Sequence, residues 1–166
     1  MKTHSMSYNI EAAMQAFVNG IQNQGGASIM FKPVGSLGSP YKMVSMRFDV
    51  APDHGYMASY EDFGGHGEAV CESTEDIYAL RSLFLELAMR IVERGNSLPN
   101  GYDDDEMYGL YIGAWVEDGK VIGDISRHFT HEDEVLEFSI ANHQRAYYDI
   151  AAGKSVSVNN TEVTVG

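Results

Sequence analysis

Residues 73–95 read STEDIYALRSLFLELAMRIVERG, and this stretch decides how the rest of the chain folds. Ser73 and Thr74 are favourable N-caps, because a hydroxyl accepts hydrogen bonds from the free amides of a first helical turn. Gly95 can adopt the left-handed conformation that ends a helix. Between them, apolar residues recur every three or four positions, which is the spacing of one helix face; they are Ile77, Leu80, Leu83, Phe84, Leu85, Leu87, Ala88, Ile91 and Val92. The pattern predicts one long, buried central helix over about residues 74–94.

The residues before this helix predict a shorter helix followed by strands. The apolar face of the short helix is formed by Ile10, Ala13, Met14, Phe17 and Ile21, with Ser7 or Asn9 as its cap and an end between Asn19 and Gly26 that includes Gly20. Period-two alternation and short apolar runs predict strands at residues 28–32, 41–50, 56–60 and 68–71. The turn-forming residues 51–55 predict that the second and third of these strands pair as a hairpin.

The residues after the central helix predict two further strand pairs with a helix between them. Residues 108–117 alternate strongly, Asp118-Gly119 favours a type I′ turn, and residues 121–125 return as a strand. Thr130 is the expected N-cap of the next helix, and residues 145–150 and 155–158 form the last strands. The sequence thus predicts an α+β fold with a mainly antiparallel sheet, one long central helix and two shorter helices.

Length favours one domain over residues 1–166, with possible sub-units 1–95 and 108–158 joined by the acidic loop 96–107. Composition favours a cytoplasmic protein. The lone Cys71 cannot form an internal disulfide, residues 1–7 lack the build of a signal peptide, and no apolar run is long enough to cross a membrane.

Negative charge is distributed unevenly along the chain. The net charge is -13, yet residues 1–48 hold four basic side chains against one acidic side chain, so the remainder carries -16. Such a surface repels nucleic acids and anionic membranes and attracts basic protein surfaces. We therefore expect a protein partner, no direct nucleic-acid contact and no membrane contact. The sequence makes no prediction of the oligomeric state.

Candidate catalytic residues are few. His128-Phe129-Thr130 matches the His-x-Thr element of two-histidine phosphoesterases, in which two such histidines act as general base and general acid. A second element is missing, since His4-Ser5-Met6 lacks the hydroxyl at its third position. A phosphodiesterase that uses His128 and Thr130 is therefore the alternative hypothesis, and the main expectation is a protein that is not an enzyme and has no cofactor.

A metal site formed by histidines is a weaker possibility. His54, His66, His128 and His131 could gather around a metal with nearby carboxylates, but solvent-exposed histidines are the simpler interpretation.

Two stretches resemble proteins of mobile genetic elements. The segment GLYIGAWVEDGKVIGDISRHFTHEDEVLEFSIANHQRAYYDIAAGKSV resembles a segment of small uncharacterised bacteriophage proteins through the residues Gly113, Trp115, Asp118, Gly119, Asp124, Ser126, Gln144, Ala146, Tyr148 and Asp149. The stretch from GYMASY through GHGEAV into an acid-capped helix is similar to plasmid antirestriction proteins of the ArdB/KlcA type. The resemblance implies a phage- or plasmid-encoded origin and carries over no functional residue.

These observations predict an acidic inhibitor of a host defence system, of the anti-CRISPR or antirestriction class. A bacteriophage accessory protein with no defence role is a further alternative hypothesis. Its partner would be a host protein with a basic nucleic-acid-binding surface. The expected partner-binding residues are Tyr102, Asp103, Asp104, Asp105, Glu106 and Tyr108, where aromatic side chains flank a run of charges. A secondary acidic patch comprises Glu132, Asp133, Glu134 and Glu137, whose first members already serve the N-terminus of a helix.

Overall fold

The computed structural model describes residues 10–34, 45–50, 53–101, 105–107 and 109–158. These contain three α-helices: α1 (Ile10–Gln24), α2 (Ile77–Ser97) and α3 (Glu132–Ala141). The eight strands are β1 (Gly26–Val34), β2 (Ser45–Val50), β3 (Tyr56–Ser59), β4 (Ala69–Cys71), β5 (Leu110–Glu117), β6 (Lys120–Phe129), β7 (Ala146–Asp149) and β8 (Lys154–Ser157). The predicted α+β class with a mainly antiparallel sheet is confirmed. None of the described helices is long and apolar enough to span a membrane.

One sheet joins all eight strands in the order β2-β1-β5-β6-β3-β7-β8, with β4 paired to β6 outside this order. Strand β6 is central, because β5 pairs along one of its edges while β4 and β3 share the other. The predicted hairpin between residues 41–50 and 56–60 is wrong: β2 pairs with β1, and β3 pairs with β6 and β7. The return strand extends to Phe129 instead of ending at 125, and these extra residues form the edge that β3 joins.

The three helices all lie on the same face of the sheet. Helices α1 and α2 cover β1, β5 and β6, whose alternate side chains form the main core; these include Ile29, Phe31, Leu110, Ile112, Val121 and Ile125. Helix α3 covers β3 and β7 over a smaller core that includes Ala58, Val135, Tyr147 and Val158. Strand alternation therefore directs every second side chain of these strands away from the helices, to the opposite face.

Helix α2 is confirmed as the longest described helix, although its ends and parts of its apolar face differ from prediction. Its N-cap is Asp76, which accepts a hydrogen bond from the Ala79 amide at 3.1 Å, while Ser73 accepts from the two amides that precede the helix. Gly95 is buried inside the helix, which ends at Ser97. The predicted core positions Ile77 and Leu85 are 48% and 39% exposed, because a helix that packs on one sheet buries only the side turned towards it.

Helix α1 ends within the predicted range, and α3 begins one residue later than predicted. Helix α1 ends at Gln24 and runs through Gly20, which was expected to help end it; this glycine lies so close to β1 that an added Cβ would be 2.7 Å from the carbonyl oxygen of Gly26. The chain reverses at Gly25, which has a φ of +79°. The N-cap of α3 is His131 instead of Thr130, and its side chain makes no capping hydrogen bond. The predicted caps Ser7 and Asn9 lie outside the described residues.

The turn between β5 and β6 is confirmed at Asp118-Gly119. Both residues have positive φ angles, 54° and 78°, as a type I′ turn requires. The pairing that this turn sets runs from Glu117 opposite Lys120 to Leu110 opposite Arg127, and it determines which side chains of the two strands share a face.

Candidate functional site

The predicted acidic binding loop is anchored to the rest of the molecule at its described end. Of its six predicted residues, Asp105 and Glu106 are described and begin a 3-10 turn, Asp105–Met107. Arg94 of α2 donates to both carboxylate oxygens of Glu106, with N–O distances of 2.7 and 3.0 Å. Arg127 of β6 donates to the carbonyl oxygen of Asp105 at 3.3 Å. Glu106 therefore has a local structural role, which the sequence did not suggest. Tyr102, Asp103, Asp104 and Tyr108 lie outside the described residues.

A cavity of about 840 Å³ lies beside this turn, against the C-terminal half of α2. Three arginines line it, namely Arg90, Arg94 and Arg127, and each donates hydrogen bonds to other groups of the protein. Arg90 donates to the Gly67 carbonyl at 2.6 Å and to Glu86, while Arg127 also approaches the Tyr60 hydroxyl at 3.4 Å. Burial raises the pKa of the Tyr60 phenol, and the hydrogen bond from Arg127 opposes that rise. These cations are therefore engaged in stabilising the fold.

The secondary acidic patch is exposed on the first turns of α3. Its members are Glu132, Asp133, Glu134 and Glu137, and no described Lys, Arg or His forms a salt bridge with any of them. Glu132 accepts a 2.6 Å hydrogen bond from the Tyr147 hydroxyl, so one of the four also has a packing role.

Two tyrosines close to the patch, Tyr147 and Tyr56, have raised pKa values. Burial is the main reason that the pKa of Tyr147 is raised, and Glu132 raises it further. Burial also raises the pKa of Tyr56, with additional contributions from the charges of Glu132 and Asp149. Nearby negative charges disfavour a phenolate, so these carboxylates add a smaller contribution to shifts that burial dominates.

The described histidines do not form a metal site with other His, Cys, Asp or Glu side chains. His128 lies on β6, where its Nε2 donates to the backbone carbonyl of His54 at 2.9 Å. The rings of His54 and His128 are 6.3 Å apart, while Thr130 is exposed beyond the end of the strand. Among the described residues, no group of three His, Cys, Asp or Glu side chains could hold a metal ion.

The face of the sheet opposite the helices is concave. Strands β1 and β3 are separated by β5 and β6, so a flat sheet would hold them about 14 Å apart. Yet the Ser28 hydroxyl of β1 lies 4.0 Å from the Met57 sulfur of β3. The sheet must curl towards this face for the two side chains to meet. The curl encloses a cavity of about 630 Å³ over the middle of β5 and β6.

Asp124 is the central polar group of this concave cavity. Its side chain is only 5% exposed, and the Ser126 hydroxyl donates to its Oδ1 at 3.5 Å. Its Oδ2 is buried and has no hydrogen-bond partner among the described residues. Burial raises the pKa of Asp124 to about 6 and the charge of Glu68 adds to the rise, while the nearby hydroxyls of Ser59 and Ser126 oppose it.

The strand partner of Asp124 leaves space for its carboxylate. Gly113 of β5 lies directly opposite, and a Cβ there would be 3.4 Å from Asp124 Oδ1. Trp115, one step along the same face of β5, also lines the cavity, as does Tyr148 of β7. The indole N–H of Trp115 donates to Glu117 at 3.1 Å, which holds this half-buried ring in place.

The sequence contained these cavity residues without showing that they meet. Gly113, Trp115, Asp124, Ser126 and Tyr148 all belong to the phage-like pattern, where no role was assigned to them. The available signal was Asp124 itself, since an acidic residue between Gly123 and Ile125 interrupts the otherwise apolar run 121–125. The chain matches no protein-family model, no curated protein and no solved structure. Its functional assignment therefore depends on the chemistry of its own residues.

Proposed function

We propose that this protein inhibits a host defence system, of the CRISPR or restriction class, by binding a basic surface of a nucleic-acid-handling protein. Its contact surface is the outer side of α3, which carries Glu132, Asp133, Glu134 and Glu137. The observation that carries the proposal is the exposure of these four carboxylates without a basic partner in the described residues. A surface of this kind is complementary to one built to hold phosphates.

Internal pairing of cations supports this assignment. Arg81 pairs with Glu11 at 2.8 Å, Arg90 with Glu86, and Arg94 with Glu106. These arginines neutralise particular carboxylates elsewhere on the molecule and leave the α3 carboxylates uncompensated. Part of the net charge of -13 is therefore concentrated on α3, as exposed carboxylates.

The geometry favours α3 over the loop that the sequence ranked first. Glu106 is engaged by Arg94, and the backbone of Asp105 accepts from Arg127, so part of the 102–108 loop serves the fold. On α3, Ile140 is 46% exposed and lies three residues, less than one helical turn, after Glu137. An exposed apolar side chain beside carboxylates suits an interface in which charge steers the approach and an apolar group packs at contact. Asp103 and Asp104 remain predicted as a second contact.

A matched pair of triple substitutions tests the proposal. The test variant is Asp133→Asn, Glu134→Gln and Glu137→Gln, and the control is Asp118→Asn, Glu75→Gln and Glu93→Gln; both remove three exposed negative charges of the same residue types. The purified protein is first used to capture its partner from host lysate, and association is then measured at low and high salt. We expect the α3 variant to associate about tenfold more slowly at low salt, with a flatter salt dependence, while the control keeps wild-type rates.

Equal loss in both variants would mean that only total charge matters and would contradict a surface on α3. A third variant, with Asp103, Asp104 and Asp105 changed to Asn, assigns any remaining salt dependence to the loop. Unchanged capture and inhibition in all three variants would leave the acidity as a solubility feature and overturn the proposal.

The phosphodiesterase hypothesis requires His128 to act as a general acid or base. The Nε2 of His128 already donates to the carbonyl of His54, so we expect no hydrolysis of cyclic dinucleotides or RNA. Turnover by the wild type that disappears in a folded His128→Ala variant would replace the inhibitor with an enzyme.

A further inference from the structure

The concave cavity has the composition of a site for a positively charged nitrogen donor. Asp124 forms part of its wall, three serine hydroxyls accompany it, and none of the described residues that line it is basic; the serines are Ser28, Ser59 and Ser126. The volume of about 630 Å³ falls within the range of small-ligand sites. A negative group with no cation among the described residues that line the cavity, in a protein of net charge -13, disfavours anionic ligands.

The buried Oδ2 of Asp124 is the feature that calls for a ligand. Buried carboxylate oxygens in folded proteins almost always accept hydrogen bonds, and leaving one unpaired is costly. Oδ1 accepts a hydrogen bond from Ser126, whereas Oδ2 has no partner among the described residues. An N–H group of a ligand would donate the missing hydrogen bond to Oδ2.

The position of Trp115 indicates that the missing hydrogen-bond donor is flat. In the β5–β6 pairing, Gly113 is opposite Asp124 and Trp115 is opposite Ile122, so Trp115 and Asp124 are diagonal neighbours on one face. Residues at such positions lie about 7–8 Å apart, which is within reach of an aromatic side chain. A flat cation can therefore hydrogen-bond to the carboxylate and contact the indole ring at once.

From this arrangement we infer that the concave cavity binds a guanidinium group through Asp124 and Trp115. Guanidinium is planar, stacks on aromatic rings, offers paired N–H donors to a carboxylate and is more weakly hydrated than ammonium. The group can come from a free small molecule or from an arginine side chain of another protein. The site lies on the face opposite α3, so it is independent of the proposed inhibitory surface.

Fluorescence of Trp115 reports directly on this site, because it is the only tryptophan in the chain. One titration uses agmatine, a free guanidinium compound, and a second uses acetyl-Gly-Arg-Gly-amide, an arginine within a peptide. Acetyl-Gly-citrulline-Gly-amide is the neutral control, since its urea group has nearly the same shape without the charge. We expect saturable fluorescence changes with one or both guanidinium ligands and about tenfold weaker binding of the citrulline peptide. The tighter of the first two ligands identifies the source.

Two variants of the cavity and one outside it complete the test. Asp124→Asn keeps the shape of the side chain and removes its charge, so affinity should fall about tenfold or more. Glu93→Gln removes an equal charge from an exposed position on α2 and should leave affinity unchanged. If Asp124→Asn fails to fold, Gly113→Ala serves instead, because its methyl group would occupy the space beside the carboxylate. Equal binding by the wild type and the cavity variants, equal binding of the citrulline peptide, or no response to either guanidinium ligand would overturn the inference.

Discussion

The two faces of the sheet use the same strands for opposite purposes. Along β6, Val121 and Ile125 point to the helices and are buried in the main core, whereas Asp124 and Ser126 point to the concave face and are buried around a cavity. On the helix side, burial is matched by apolar packing. On the concave side, a charged group is buried without full hydrogen bonding. Burial alone therefore does not distinguish the two faces of β6; the difference is that the buried side chains are apolar on one face and include, on the other, a carboxylate with an oxygen that is unpaired among the described residues.

The helix side should be the more sensitive of the two faces to loss of volume. Phe84 of α2 is fully buried and its ring centroid lies 5.2 Å from that of Phe17 in α1, so Phe84→Ala would open a cavity where the two helices meet. We expect a loss of about 3–5 kcal/mol in the free energy of unfolding, measured by urea denaturation. Tyr78→Ala on the same helix is the control, because Tyr78 is 83% exposed and should change the value by less than about 0.5 kcal/mol. Similar losses in both variants would contradict the packing of α2.

Asp124 on the concave face should make the stability of the protein depend on pH. The pKa of Asp124 is about 6 in the folded protein against an ordinary value of 3.8, so the folded state binds its proton more tightly than the unfolded state. The resulting stability is fully present below about pH 4 and is lost as the pH rises through about 6. The shift corresponds to about 3 kcal/mol.

The measurement is the difference in unfolding free energy between the wild type and the Asp124→Asn variant from pH 4 to pH 8. An amide at this position does not titrate, so the variant should escape the loss and gain about 3 kcal/mol relative to the wild type over that interval. Other titrating groups are common to both proteins and cancel in the difference. Parallel stability curves would show that Asp124 does not titrate in an unusual environment.

Glycine substitutions offer the most direct comparison of the faces. Gly123 on β6 faces α2, where an added Cβ would be 2.9 Å from Leu87 and 3.2 Å from Leu83. We expect Gly123→Ala to cost about 1–3 kcal/mol through overpacking. Gly113 on β5 faces the cavity, where the nearest atom would be 3.4 Å away, so Gly113→Ala should cost less than Gly123→Ala. Thermal melting of the two variants measures the difference in stability. A larger loss for Gly113→Ala than for Gly123→Ala would contradict the open space that the structure shows beside Gly113.

Much of the fold could be predicted because its signals are local. The spacing of Leu80, Phe84, Leu87 and Ile91 predicts α2, and all four are buried as expected. The Asp118-Gly119 turn was equally predictable, since few residues tolerate two consecutive positive φ angles. Errors at helix ends arose where a distant contact decided the outcome, as at Gly20, whose absent side chain admits β1.

The candidate site was much less predictable. The acidic residues of α3 could be located from the sequence, but their priority over the 102–108 loop depended on Arg94, which reaches Glu106 from a different element. The concave cavity was missed as a site although several of its residues had been singled out, because no spacing along the chain places Ser28, Met57 and Asp124 together.

The fold class, the central helix, the β5–β6 hairpin and the excess of negative charge can all be read from the sequence, because each follows from the order of neighbouring residues. Contacts between distant residues are needed to show that β3 joins β6 and β7 instead of β2, that Ile77 and Leu85 stay exposed, and that the carboxylate of Asp124 is buried on the concave face of the sheet. Periodicity shows which side chains share a face of one element. Which element that face meets depends on pairing between residues far apart in the chain, and the polar groups left unpaired there are visible only once the partners are in place.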